Sequence, residues 1–141
     1  MPIIGQGVTL RGLFSEDFAY TWNITGTNGV DPHNTITAAG AEPAMVQDTT
    51  ADNAAKASTD GAEILGALRT YENRVQEGTT VGTIYHKGVF VFMYTGTAPT
   101  RGQAVVGSAT AGKVKAATAQ NGRNTVVAVD TTATTVTVKF D

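Results

Sequence analysis

The feature that most constrains this chain is an imperfect internal repeat. The middle of the sequence runs through Ala44-Met45-Val46, Asp48, Ala55-Lys56-Ala57, Asp60-Gly61, Ile64-Leu65-Gly66-Ala67-Leu68 and Thr79-Thr80-Val81-Gly82-Thr83-Ile84. The last third runs through Ala104-Val105-Val106, Gly112, Val114-Lys115-Ala116, Asn121-Gly122, Val126-Val127-Ala128-Val129 and Thr134-Thr135-Val136-Thr137-Val138. Each time the order is a short apolar strand, a small polar turn, an Xaa-Lys-Ala strand, an Asp/Asn-Gly turn, an apolar strand and a Thr-rich strand. The offset drifts from about 60 residues to about 55, and two copies are too few for a solenoid, which needs three or more. A compact pseudo-twofold β-barrel or clip is the architecture this pattern predicts.

Composition narrows the class. With 141 residues, 41% hydrophobic content and a net charge of −2, the chain reads as one soluble domain with a single modest core. Charged residues make up only 16%, against about 25% in ordinary domains, while Thr, Ala and Gly abound. Thr favours pleated, half-buried surfaces and Gly supplies turns between short strands. No basic stripe is present to hold nucleic acid. No run approaches the ~18 apolar residues of a membrane helix, and Met1-Pro2-Ile3-Ile4 lacks the basic start and long apolar core of a signal peptide. The sequence has no cysteine, which removes disulfides and thiolate chemistry.

The chain divides in three: residues 1–40, and two β units at about 41–98 and about 99–141. Residues 1–40 hold Phe14, Phe18, Tyr20 and Trp22, four of the ten aromatic residues. Phe18, Tyr20 and Trp22 alternate as they would along an extended strand. Residues 25–40 carry no sustained period and read as a loop or linker. An aromatic-bearing extended arm ahead of such a stretch either packs on a partner or supplies rings to the domain's own core. In the first unit, residues 64–71 form a strong strand candidate and 72–78 a polar connection. The most hydrophobic run, 89–94, has the β-branched and aromatic content of a strand buried on both faces. The second unit ends in the alternating Thr135-Val136-Thr137-Val138-Lys139-Phe140.

Chemistry is sparse. His33 and His86 are the two histidines, one in a loop and one beside a Gly turn, without the three or four converging ligands a metal needs. Asp48, Asp52 and Asp60 lack the alternation and closing Glu of a calcium loop and read as turn formers. None of the three serines, Ser15, Ser58 and Ser108, lies in a nucleophile elbow. Gly5-Gln6-Gly7 lacks the rest of a phosphate loop. These patterns argue against an enzyme and predict no cofactor and no metal.

A resemblance adds to this reading. Lys87-Gly88-Val89-Phe90-Val91-Phe92, Pro99-Thr100-Arg101-Gly102-Gln103-Ala104-Val105-Val106, Gly112-Lys113-Val114-Lys115-Ala116 and the closing β-branched strand resemble the capsid decoration, or head cement, proteins of tailed phages. Ala41-Glu42-Pro43-Ala44-Met45 followed by Asp60-Gly61-Ala62-Glu63-Ile64-Leu65-Gly66 is similar to the lambda-type members. The resemblance covers roughly residues 41–141. It implies a small β-clip or tulip-like barrel bound to the outer surface of a mature virion shell. It further implies contact with the major capsid protein and self-association as a homotrimer.

Such a role needs no catalytic group. Repeated weak contacts on a lattice raise avidity, and an extended arm can add a strand to a neighbour's sheet edge. Ile3, Ile4, Val8, Leu10, Phe14, Phe18, Tyr20 and Trp22 are the side chains expected to carry capsid or neighbour binding. Two alternatives share the composition. A tail-fibre module would usually extend from a longer stalk. A cell-surface or carbohydrate-binding β domain would expose several aromatic rings in its folded part, whereas Tyr71, Tyr85, Phe90, Phe92, Tyr94 and Phe140 lie in apolar runs.

Overall fold

Apolar side chains at every second position favour extended backbone, and the turns between them decide which strands meet. The computed structural model describes residues 19–26 and 30–141. Ten strands follow one another among the described residues: β1 (Ala19–Ile24), β2 (Ala44–Gln47), β3 (Ala54–Ala57), β4 (Gly66–Arg74), β5 (Thr79–Tyr85), β6 (Gly88–Met93), β7 (Val105–Gly107), β8 (Val114–Ala116), β9 (Asn124–Asp130) and β10 (Thr135–Phe140). Two 3-10 turns, Pro32–Thr35 and Val75–Glu77, are the only helical segments among the described residues. The protein is mainly β. Among the described residues no helix is long and apolar enough to cross a membrane.

Five strands close into a barrel in the order β1-β3-β2-β4-β5. β1 completes the ring. It runs antiparallel to β5, from Ala19↔Tyr85 to Asn23↔Val81, and parallel to β3 at Asn23↔Ala54 and Ile24↔Ala55. The boundary drawn at residue 40 therefore shifts: residues 19–24 are a barrel stave and not part of an arm. The other strands form a sheet, β6-β10-β9, and a hairpin, β7-β8. A parallel bridge, Tyr94↔Val114, joins the two.

The repeat is visible strand by strand, with β1–β5 answering to β6–β10. Tyr20 and Trp22 pair with Ile84 and Gly82; Phe90 and Phe92 pair with Val138 and Val136. β4 steps from Leu68↔Ile84 to Thr70↔Thr83 and leaves Arg69 bulged; β9 steps from Val126↔Val138 to Ala128↔Thr137 and leaves Val127 bulged. Ser58 N–H donates to Ala44 O as Ala117 N–H donates to Ala104 O, and Leu68 N–H to Pro43 O as Val126 N–H to Gln103 O. A polar strap recurs as well. Asp48 accepts from the Thr25 hydroxyl (2.5 Å) and from Thr50 N–H (3.0 Å). Ser108 shares a 2.5 Å hydrogen bond with the Thr95 hydroxyl and accepts from Thr110 N–H at 3.1 Å. The units thus begin at β1 and β6, and the 41–98 and 99–141 limits each fall one strand late.

The second unit keeps this order without closing. Met45 pairs with Gly66 in the first barrel, where a Cβ on Gly66 would lie 1.9 Å from Tyr85 O. At the matching place Val105 N–H donates to Asn124 Oδ1 (2.8 Å), and Asn124 Nδ2 donates to Val105 O (3.2 Å). A side-chain amide replaces a strand pair, since it offers the same donor and acceptor as a peptide group.

Two cores result. Ile24, Met45, Ala55, Leu68 and Ile84 fill the first barrel, with Trp22, Leu65 and Tyr71 packed against them. Phe90, Phe92, Tyr94, Val105, Val114, Val126, Val136, Val138 and Phe140 cluster in the second unit together with Ala44, Val46, Ile64 and Ala67 from the first. Met45 points into the barrel while its neighbours Ala44 and Val46 point out of it, into the second core, as a period of two requires. The 89–94 run is not buried on both faces. Phe90, Phe92, Met93 and Tyr94 are buried, but Val89 is 55% exposed and Val91 half-buried.

Candidate functional site

Along β1 the alternation carries Ile24, Trp22 and Tyr20 along one side, from the barrel interior to its mouth. Ile24 is buried, Trp22 half-buried and Tyr20 53% exposed. The Tyr20 and Trp22 rings meet edge to face, with centroids 5.4 Å apart, an arrangement favoured by the ring quadrupoles. His86, just beyond β5, tilts against Trp22 at 5.8 Å. Trp22 Nε1–H donates to His86 Nε2 at 3.3 Å, so that nitrogen carries the lone pair. Desolvation holds the His86 pKa below its ordinary value; a backbone hydrogen bond at Leu65 opposes this, and the positive charge of Arg123 adds to it.

Two amides complete the mouth. Gln47 ends β2, and Asn53 sits in the turn before β3 at φ 52°, a left-handed conformation that Asn tolerates better than most residues. Tyr20, Trp22, Gln47, Asn53 and His86 line an open cavity of about 430 Å³, within the roughly 300–1,000 Å³ usual for small-molecule sites. A wider hollow at the β4–β5 turn is lined by Glu72, Asn73, Arg74, Gln76 and Glu77. There Arg74 pairs with Glu72 (2.8 Å) and Glu77 (3.8 Å), and no apolar platform is present.

The register identifies the same five positions in the second unit as Phe90, Phe92, Gly107, Gly112 and Phe140. The three phenylalanine rings cluster at 5.8–6.4 Å, and all three are buried. Their cover comes from the first unit. Gly61 N–H donates to Gly107 O and Gly107 N–H to Ala62 O, while a Cβ on Gly107 would fall 2.1 Å from Thr59 O. Gly112, at φ 79°, lies under Thr35, Ile36 and Pro43. The first unit has no such cover among the described residues, and each of its five positions carries a polar atom.

Of the side chains expected to bind, Tyr20 and Trp22 are brought together; Ile3, Ile4, Val8, Leu10, Phe14 and Phe18 lie outside the described residues. The sequence reading missed Gln47, Asn53 and His86 as a group. His33 also has an acidic partner the sequence reading overlooked: its Nδ1 is 2.6 Å from Asp31 Oδ1, and its Nε2 is 3.2 Å from Leu68 O. Among the described residues no three His, Asp or Glu side chains group closely enough to hold a metal ion. No family model, curated protein or solved structure matches this chain.

Proposed function

We propose that this chain is a structural capsid decoration protein, bound as a homotrimer outside a mature phage head and bridging neighbouring major capsid proteins. The observation that carries this reading is the shared core. Ala44, Val46, Ile64 and Ala67 of the first unit are buried with the second unit's aromatic rings, so two similar units form one stiff body suited to clamping a lattice. The resemblance over residues 41–141 supports the same reading. Shell contact is assigned to Ile3, Ile4, Val8, Leu10, Phe14 and Phe18, which precede the barrel; Tyr20 and Trp22 are themselves barrel residues.

The test is imaging of purified heads with and without the protein, repeated with residues 1–18 deleted. The truncated chain retains all of β1. It should melt close to the full chain and fail to decorate heads. Normal decoration by the truncated chain would move the contact to the barrel. Failure of the full chain to decorate any head would remove the reading. A cell-surface binding module is favoured by one observation, the exposed aromatic mouth of the first barrel.

A further inference from the structure

We infer that the mouth of the first barrel is a binding site for a neutral saccharide, with a sugar ring stacked on Tyr20 and Trp22 and hydroxyls bonded by Gln47 and Asn53. The argument begins with what the equivalent site in the second unit contains. There, three Phe rings are buried among first-unit side chains, and the two glycines lie against first-unit atoms, Gly107 under the backbone of 59–62 and Gly112 under Thr35, Ile36 and Pro43. A surface position that merely lost its cover would be expected to carry small or charged residues, since large rings in water forfeit their burial. The first barrel instead keeps large rings, Tyr20 for Phe90 and Trp22 for Phe92, and adds an amide at each glycine position.

A second copy of this chain does not fit the mouth in the same way. The cover over Gly107 depends on backbone approaching where a Cβ would stand, and Gln47 fills that place with a side chain. Nucleic acid and anionic ligands find no cation among the five lining residues while His86 is neutral, and the chain's net charge is −2. What remains is a ligand with both an apolar face and uncharged hydroxyls. The negative faces of Tyr20 and Trp22 attract the slightly positive C–H groups of a pyranose ring. The Gln47 and Asn53 amides donate and accept, as hydroxyls do. Trp22 is itself held in place by the hydrogen bond to His86, which limits the ordering cost of binding.

Trp22 is the sole tryptophan, so its emission reports directly on the site. The full chain is titrated with soluble glucan, mannan, galactan and N-acetylglucosamine oligosaccharides, and with a sulfated galactan oligosaccharide at low and high salt, followed by tryptophan emission and by saturation-transfer NMR on the sugar. At least one should bind saturably, with a Kd of about 0.1–1 mM expected for so open a site. Tyr20→Ala and the double variant Gln47→Ala/Asn53→Gly should each weaken it about tenfold or more. The proposal is overturned if no oligosaccharide saturates either readout, or if both variants bind as tightly as the parent. It is equally overturned if only a sulfated oligosaccharide binds and salt abolishes that binding. No capsid enters the experiment, so a negative result leaves the shell reading standing.

Discussion

Phe90, Phe92 and Phe140 in the second unit occupy the register positions of Tyr20, Trp22 and His86 in the first. One trio is buried with side chains of the first unit, while the other runs from half-buried Trp22 and His86 to exposed Tyr20. Apart from the Asn124 amide that stands in for one strand pair, backbone pairing is shared down to the bulges at Arg69 and Val127, so local strand geometry does not account for the difference. Cover does. Where the neighbouring unit supplies a lid, the chain uses apolar rings and glycine; where it supplies none, it uses rings that carry a hydrogen-bonding atom, flanked by amides. Arg69 shows the junction from the other side: it pairs with Glu42 and lies over the rings of Tyr85 and Phe90, 5.1 and 5.2 Å from their centroids.

The largest expected effect comes from removing the stave that only one unit closes with. Deleting residues 1–24 takes away β1 and uncovers Ile84, Leu68, Met45 and Ala55, so the cooperative thermal transition should be lost. Of the two roles open to the arm, partner contact or supply of rings to the domain's own core, the pairing of β1 with both β3 and β5 makes residues 19–24 part of the barrel. A truncated protein that still melts in one sharp step near the parent midpoint would make β1 dispensable. Next comes the pair of equivalent rings. Phe92→Ala should cost about 3–5 kcal/mol through lost burial and a cavity, and Trp22→Ala about 1–2 kcal/mol, because only part of its surface is buried. Denaturant titration of both variants checks this, and equal costs would break the comparison between a sealed and an open site.

The smallest effect separates the two straps by pH. Hydrogen bonds from the Thr25 and Thr50 hydroxyls and from Thr50 N–H hold the Asp48 carboxyl at about 2, below its ordinary 3.8. A depressed folded-state pKa adds stability that is complete above the unfolded value and disappears as pH falls through the folded one. Asp48→Ser installs the residue that Ser108 contributes to the second strap, and a serine does not titrate there. The midpoint difference between parent and variant should therefore stay constant above about pH 4 and shift towards the variant between about 4 and 2. A difference that stays flat across that window would show that the strap does not depend on the carboxylate's charge.

Much of the fold was legible because strand periodicity survives in short runs. β10 coincides with the alternating 135–140 segment, and the Xaa-Lys-Ala phrases are β3 and β8. The first strand of each unit was not paired with its partner in sequence. Tyr-Thr-Trp-Asn-Ile and Phe-Val-Phe-Met-Tyr share no identical position, since one faces water at its end and the other a neighbouring unit. Val89 looked buried because a hydrophobic run does not reveal where along the strand one face meets solvent. The candidate site was half legible. Tyr20 and Trp22 stand on one strand, but Gln47, Asn53 and His86 reach them only through barrel closure. A side chain standing in for backbone, as Asn124 does, leaves no periodic signal at all.

The shared core also sets an order of events in time. The first barrel's interior is built from its own strands, whereas the second core needs Ala44, Val46, Ile64 and Ala67 from the first. During synthesis the amino-terminal unit emerges first, and domains generally fold in that order. The first barrel can close while β6–β10 are still being made, and its outer face then serves as the template on which Phe90, Phe92 and Phe140 condense. The reverse order is disfavoured, for the second unit on its own would lack Ala44, Val46, Ile64 and Ala67 and leave its phenylalanine rings more open to water. Slow folding of the first unit would thus leave its successor's rings exposed and prone to aggregate.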